Sequence, residues 1–210
     1  MVALAILDRI EHTGSDHVLL DMRDVPPARF PNVFAALSSA GHDPSAAPVP
    51  VSPASHYVMG GIATDLDCRA SLGGLYAVGE CACTGLHGAN RLASNSLTEC
   101  FVLGSRAAAA AVAESDPGPS PEPSPWRFQP PTVETRDAVW RLAGPRRRTE
   151  DLERLADDPY PLARLIARFA LEREESRGSH RRLEFPETDP ALDGRHLVCS
   201  GDERRWEAWE

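Results

Sequence analysis

The chain has 210 residues, of which 42% are hydrophobic and 25% charged, a composition typical of a globular protein with one or two domains. Its net charge of −9 argues against a general nucleic-acid binder, which usually carries a basic face. All 22 basic residues are arginine, so a lysine Schiff base and the phosphate-binding lysine of a P-loop are excluded.

No apolar run reaches the roughly 20 residues that a membrane helix needs, and the N-terminus lacks the pattern of a secretion signal. The five cysteines are odd in number and show no paired spacing, which predicts reduced thiols in a cytoplasmic protein. Cys81 and Cys83 form a C-x-C pair with no second pair to complete a zinc site, so we predict no metal.

Short strands and helices are predicted along the first 113 residues. In chain order they are a helix over 2–12, a strand over 18–21, a helix over 31–40 closed by Gly41, an extended segment over 44–53, and strands over 57–64 and 75–78. A helix follows over 95–113, capped by Ser94 or Asn95. Its apolar stripe consists of Leu97, Phe101, Ala108 and Val112.

A proline-rich stretch over 115–131 separates this part from an arginine-rich second part. Helices are predicted there over 133–142, over 149–156 with Thr149 as N-cap, and over 161–176 with Pro161 in the first turn. The last of these is expected to bury a face of Leu162, Leu165, Ile166 and Phe169 and to end at Gly178. The tail is predicted to be irregular.

The residues whose types and order indicate a ligand-binding site lie within 56–104. Gly60 and Gly61 allow a close approach of the backbone to a large flat or phosphorylated ligand. A buried strand then leads to Glu80, the position at which nucleotide folds often deliver a carboxylate to a sugar hydroxyl. The start of the helix at Asn95 offers free N–H groups and a positive dipole, which favour the partial negative charge of a reduced flavin.

Three motifs in this order resemble one family. They are HYVMGG at 56–61, GLYAVGE at 74–80 and GLHGANRLASNSL at 85–97. Together they resemble the fumarate reductase/succinate dehydrogenase flavoprotein superfamily and, within it, most closely the L-aspartate oxidase family. The segment 175–186 is similar to the helical C-terminal region of the same family, and Arg177 and His180 are expected to join that region to the flavin-binding part.

The resemblance implies FAD as the cofactor and a small dicarboxylate, L-aspartate or fumarate, as the substrate. It assigns carboxylate binding and catalysis to His56 and Arg91, since a guanidinium can hold a carboxylate through two bonds. It adds His87 as a substrate contact. The cofactor contacts that it implies are Gly60, Gly61, Glu80, Asn95, Ser96 and Leu97.

The fold class that follows is mixed α+β and α/β, with a partial Rossmann-like FAD-binding domain and a C-terminal helical bundle. The expected limits are the end of an α+β capping domain over 1–45, the FAD-binding part over 46–113, a linker over 114–131, the helical domain over 132–185 and an irregular tail over 186–210.

The chain contains no G-x-G-x-x-G, the fingerprint that holds the pyrophosphate in this family, and the family's proton-handling arginine would precede Met1. We therefore expect a C-terminal portion, truncated or split, with little activity alone. Its function would be the oxidation of L-aspartate to iminoaspartate in quinolinate and NAD synthesis, with O2 or fumarate as acceptor. A separate N-terminal flavin domain or quinolinate synthase would be its protein partner. The alternatives are a fragment of a succinate dehydrogenase or fumarate reductase flavoprotein, and a non-catalytic interaction module.

Overall fold

The computed structural model describes residues 2–115, 129–201 and 203–209, so most of the predicted linker lies outside the described residues. The chain divides into two compact units, Met1–His56 and Tyr57–Glu210. The domain limits predicted from the sequence stay predictions. In the described part of the chain, no helix combines the length and the apolar character needed to cross a bilayer.

The first unit contains two helices and one pair of strands, close to the predicted positions. Helix α1 spans Val2–Thr13 and helix α2 spans Pro31–Ser39, with its proline in the first turn, where no N–H is needed. Strand β1 (Val18–Leu20) pairs antiparallel with β2 (Val49–Val51). A small core of Met22, Phe34 and Val49 lies between these elements.

The second unit begins with a short parallel pair, β3 (Ile62–Ala63) and β4 (Ala82–Cys83). The strands predicted over 57–64 and 75–78 are therefore wrong in extent. Gly60 and Gly61 have φ values of 109° and 145°, which interrupt an extended strand before Ile62. In the second segment only Tyr76 forms a bridge, with Arg69, because the chain turns back on itself between these two residues.

Helix α3 spans Asn95–Ala113, as predicted, but its apolar stripe faces solvent. Leu97 is 63% exposed, Phe101 80% and Val112 89%, whereas Ala107 and Ala110 are buried. The reason is a close approach on the other side of the helix. A Cβ on Gly79 would lie 2.9 Å from Sγ of Cys100, so the helix packs against the 3-10 turn Gly79–Cys81 through its small residues.

Three helices form the C-terminal core: α4 (Val133–Ala143), α5 (Thr149–Leu155) and α6 (Pro161–Glu172). The N-terminus of α4 is capped by Thr132, whose hydroxyl oxygen accepts a hydrogen bond from the Thr135 N–H. The core is built from Ala143, Leu152, Leu155, Ala163, Ala167 and Ala170.

Two details of these helices differ from the prediction. Thr149 does not cap α5; the N-cap is Arg148, and the Thr149 hydroxyl accepts a hydrogen bond from Arg182 at 2.8 Å. Helix α6 ends at Glu172 rather than near residue 176. It buries a face of alanines while Leu162 is 54% exposed, and the large side chains of this core, Leu152 and Leu155, come from α5 instead.

The tail predicted to be irregular contains a β-hairpin, so that prediction is wrong over these residues. Strand β5 (Arg195–Ser200) pairs antiparallel with β6 (Glu203–Ala208), and Gly201 has a φ of 60° in the turn. The cross-strand pair of Leu197 and Trp206 supplies apolar contact on one face.

The segment after α6 is held by buried charges. Glu175 is fully buried and accepts hydrogen bonds from Arg173 Nε at 2.7 Å, Arg177 Nε at 3.0 Å and the Asp189 N–H at 2.9 Å. Burial raises the pKa of this carboxyl, but the bonds from Arg177, Asp189 and Arg173 outweigh it and bring the pKa to about 2.

His180 is held in its neutral form by the same region. Its Nε2 lies 2.9 Å from the carbonyl oxygen of Arg173, which requires a proton on Nε2, and its Nδ1 lies 2.7 Å from Nη1 of Arg147, which requires a lone pair there. Burial lowers the pKa of His180 to about 4; the bond to the Arg173 carbonyl opposes this shift, and the charges of Arg147 and Arg182 add to it.

This arrangement predicts a loss of stability in mild acid. The folded-state pKa of His180 lies below its ordinary value of 6.5, so the unfolded chain binds the proton first as the pH falls. Between about pH 7.5 and pH 5 we expect the free energy of unfolding to fall by about 2 kcal/mol from this residue. In His180→Asn that part of the pH dependence disappears.

Urea unfolding followed by tryptophan fluorescence at the two pH values measures the effect. His12→Asn, an exposed histidine near the end of α1, is the control and should keep the wild-type pH dependence. An equal loss of stability in wild type and His180→Asn would contradict the assignment.

Candidate active site

The base of the candidate site is a close contact between residues 58–62 and 80–82. The Val58 N–H donates to Oε1 of Glu80 at 2.9 Å, and Ile62 pairs with Ala82. A Cβ on Gly61 would lie only 2.3 Å from the carbonyl oxygen of Cys81. Gly61 is therefore required by contact of two backbone segments within the chain itself.

A buried carboxylate organises the loop 84–91, which we call the site loop. Glu99 on α3 has a side chain that is only 1% exposed. Its Oε2 lies 2.7 Å from Nε2 of His87, and its Oε1 accepts a hydrogen bond from the Thr84 hydroxyl at 2.6 Å. His87 is itself only 8% exposed, so the pair lies inside the protein.

Tyr57 connects His87 with Arg91. The ring of His87 meets the Tyr57 ring edge to face at 5.2 Å, and the guanidinium of Arg91 lies over the same Tyr57 ring at 4.5 Å. Burial raises the pKa of the Tyr57 hydroxyl, and the carboxylates of Glu99 and Glu80 add to the shift. Two predicted substrate ligands are thus brought together on one aromatic ring.

Two buried nitrogens of this cluster have no hydrogen-bond partner among the described residues. They are Nδ1 of His87 and Nε of Arg91. A buried polar group without a partner costs roughly 1–3 kcal/mol. Three further buried side-chain atoms among the described residues, on Thr64, Arg182 and His196, also lack a partner, so it is the position of these two nitrogens beside Tyr57 that marks the site. Both atoms are suited to a carboxylate ligand. The Nε–H of Arg91 is a hydrogen-bond donor, and Nδ1 of His87 is one when it carries a proton.

His56 is exposed and ends the first unit, directly before Tyr57 in the chain. Its assignment as a partner of Arg91 in carboxylate binding stays a prediction.

The predicted cofactor residues present an accessible surface. Gly60 has open space on the side where a Cβ would lie, Glu80 is exposed, and Leu97 projects into solvent at the start of α3. Asn95 and Ser96 form the first turn of this helix, whose N-cap residue makes no side-chain hydrogen bond. The carboxylate of Glu80 is not free, because its Oε1 accepts the hydrogen bond from the Val58 N–H, and the assignment of these residues to FAD stays a prediction.

The C-terminal part of the chain holds the site loop from two sides. The Ala89 carbonyl accepts hydrogen bonds from the Ser179 N–H and hydroxyl, both at 2.9 Å, and a Cβ on Gly178 would lie 2.4 Å from that oxygen. The ring of Trp209 lies against Gly85, within 2.7 Å of where a Cβ would be.

The prediction that Arg177 and His180 make this connection is wrong for their side chains. That of Arg177 bonds to Glu175 and Asp193, and that of His180 bonds to Arg147 and the Arg173 carbonyl, all within the C-terminal part. The connection to the site loop is made by the neighbouring Gly178 and Ser179 instead.

Tyr57, Glu99 and Trp209 were not predicted from the sequence. Tyr57 and Glu99 lie inside or next to the recognised motifs, and the signal for Glu99 was a lone acidic residue in the otherwise uncharged first half of α3. Trp209 lies more than a hundred residues from the site loop in sequence, and no local pattern connects the two.

Two family models match the chain. "FAD binding domain" matches residues 1–97, and "Fumarate reductase flavoprotein C-term" matches residues 136–207. Solved structures agree with them. A quinol-fumarate reductase with menaquinol molecules is 28% identical and has a TM-score of 0.78 over 100% of this chain and 48% of its own. The Sdh1 complex of Mycobacterium smegmatis in its apo form is 27% identical, with a TM-score of 0.72 over 99% and 46%.

The fold and the site therefore define a flavoprotein of the fumarate reductase and succinate dehydrogenase type, with FAD as its cofactor. An L-aspartate oxidase of Caulobacter vibrioides is 50% identical over 80% of this chain and 37% of its own length. One of Mesorhizobium japonicum is 42% identical over 100% and 45%, and one of Rhodospirillum rubrum is 43% identical over 83% and 72%. The chain belongs to the L-aspartate oxidase family, and it spans less than half the length of the first two of these relatives.

We expect substitution by alanine to have different effects on stability at Gly60 and at Gly61. Gly60→Ala meets only the strain of its backbone angle, whereas Gly61→Ala also drives a Cβ into the Cys81 carbonyl. We expect Gly61→Ala to lose about 1–3 kcal/mol more stability than Gly60→Ala, because the two backbone segments must separate. Urea unfolding of the two variants measures the difference. Equal stability would show that the contact of residues 61 and 81 is not required.

Proposed function

We propose that the chain takes part in the FAD-dependent oxidation of L-aspartate to iminoaspartate, with O2 or fumarate as the electron acceptor, in the synthesis of quinolinate and NAD. The observation that carries the proposal is the cluster of Arg91 and His87 on the ring of Tyr57, with a buried nitrogen of each left without a partner. The L-aspartate oxidases of similar sequence support the choice of substrate.

In this proposal Arg91 and His56 bind the carboxylates of the substrate. The planar guanidinium can hold one carboxylate through two parallel hydrogen bonds, and its stacking on Tyr57 restricts the side chain before the ligand arrives. His56 is supported by its place in the HYVMGG motif. His87 contributes a third polar contact from inside the site loop.

FAD, when bound, supplies the hydride acceptor for the Cα–H of the substrate. In this chain, the carboxylate of Glu80 would hold a ribityl hydroxyl, and Gly60 would admit the ring system close to the backbone. The first turn of α3, from Asn95 to Leu97, would face the flavin ring and favour negative charge there.

A partner polypeptide belongs to the proposal because α3 exposes an apolar stripe. Leu97, Phe101, Val102 and Val112 are each more than half exposed on this one helix. An apolar surface of this kind is typical of a protein interface. A separate flavin domain or quinolinate synthase is the partner that we propose.

A succinate dehydrogenase or fumarate reductase flavoprotein is the second candidate, because the similar solved structures are of that type. Their identity to this chain is 27–28%, lower than the 42–50% of the L-aspartate oxidases cited above. The substrate separates the two candidates, since L-aspartate carries an amino group on the carbon that is oxidised and succinate does not.

The function is tested on the protein isolated from its own cells together with any polypeptide bound to it. Without oxygen, we expect L-aspartate to bleach the absorbance of the oxidised flavin, and succinate to leave it unchanged. Bleaching by succinate alone would establish the second candidate. Absence of flavin from the isolated protein and its partners would contradict both.

The carboxylate-binding role of Arg91 predicts a loss of affinity in Arg91→Lys. The lysine keeps the charge but loses the planar fork and the stacking on Tyr57, so we expect dicarboxylate binding to weaken by at least about tenfold. Isothermal titration of the chain with L-aspartate and with succinate measures the affinity. Arg106→Lys, an exposed arginine on α3 that pairs with Asp67 at 3.0 Å, is the matched control. Unchanged affinity in Arg91→Lys would remove this residue from the site.

A further inference from the structure

We propose that Glu99 is a positioning residue of the substrate site: it fixes the proton of His87 on Nε2 and so makes Nδ1 the atom that meets a substrate carboxylate. The proposal rests on the proposed function for the identity of the ligand. The arrangement of Glu99, Thr84 and His87 rests on the geometry alone.

Both oxygens of Glu99 are engaged by groups that donate. The Thr84 hydroxyl donates to Oε1 at 2.6 Å, and His87 Nε2 lies 2.7 Å from Oε2. With a side chain 1% exposed, the carboxylate is shielded from bulk water, and an ionised carboxylate oxygen can only accept a hydrogen bond. His87 must therefore carry its proton on Nε2.

This leaves Nδ1 of His87 as a lone pair, and Nδ1 is the atom without a partner among the described residues. His87 also lines a small cavity, together with Gly60, Gly85 and Trp209. The neighbouring ring of Tyr57 meets the imidazole edge to face and offers it no carboxylate or carbonyl oxygen. Within the described part of the chain, Nδ1 is the free polar atom of this pair.

A lone pair on Nδ1 repels a carboxylate, so binding of a dicarboxylate at this atom requires a second proton on the imidazole. That proton comes from solvent and is held on Nδ1, from which it donates to the ligand. The buried negative charge of Glu99 compensates the imidazolium, because the pair of His87 and Glu99 is then neutral as a whole. Binding of a carboxylate at Nδ1 is thus coupled to the uptake of a proton by the imidazole.

The first experiment determines the tautomer of His87 without any ligand. Long-range nitrogen–proton spectra of the full chain with labelled histidine report which imidazole nitrogen carries the proton, and His87→Asn assigns the signal among the seven histidines. We expect the Nε2–H tautomer at about pH 7.5. The Nδ1–H tautomer would overturn the proposal, whether or not the chain binds a dicarboxylate.

The second experiment measures proton uptake on binding. Titration calorimetry with succinate and with L-aspartate in buffers of different ionisation enthalpy gives the protons bound per ligand. In wild type we expect about one proton, and in Glu99→Gln uptake near zero with affinity lower by about tenfold or more, because the amide cannot compensate the imidazolium. Equal uptake in wild type and Glu99→Gln would overturn the proposal.

Glu114→Gln is the matched control. Glu114 lies at the end of the same helix and accepts a hydrogen bond from the Tyr76 hydroxyl at 2.7 Å, so the substitution also removes a hydrogen-bonded carboxylate, but far from the site loop. Its proton uptake should equal that of wild type. If wild type binds neither dicarboxylate, the proposed function fails, and the tautomer of His87 alone decides the role of Glu99.

Discussion

The candidate site depends on the close approach of the backbone at Gly61 to the carbonyl of Cys81. This contact places residues 57–60 beside the turn that carries Glu80, and it starts the short parallel pair that leads into the site loop. No side chain can be accommodated at Gly61, so the chemistry of the site rests on a purely steric condition between two backbone segments. The polar groups Glu99 and His87 follow this contact in the chain and are held by each other and by Thr84.

Local patterns predicted the helices well and the site only in part. Helix α3 was predicted to the residue because a long run of helix formers and an ending at the linker agree with one another, although Ser94 occupies the N-cap position without the side-chain hydrogen bond expected of a cap. The motifs also indicated Arg91 and His87, whose side chains both contact the Tyr57 ring, and their roles as ligands stay predictions. Tyr57 and Glu99 were missed because their roles come from contacts with side chains up to 34 residues away in sequence, and a tyrosine or a glutamate in a motif has no local signature for such a contact.

The exposed stripe of α3 shows what amphipathic patterns can and cannot predict. The spacing of Leu97, Phe101 and Val112 correctly indicates one apolar face, but it cannot indicate what covers that face. In this chain the small residues on the other side allow the closest packing, so Ala107 and Ala110 are buried and the larger side chains remain exposed. The same reasoning applies to α6, where alanines rather than leucines form the core.

The site loop is positioned by a part of the chain that contributes none of the proposed ligands. Ser179 donates twice to the Ala89 carbonyl, and Trp209 covers Gly85, so the loop is held near both of its ends. Ser179 follows the segment that the buried Glu175 stabilises, and Trp209 follows the hairpin β5–β6. Both supports lie outside the site loop, so a substitution that disrupts either of them changes the geometry of the loop that carries His87 and Arg91 without touching a proposed ligand.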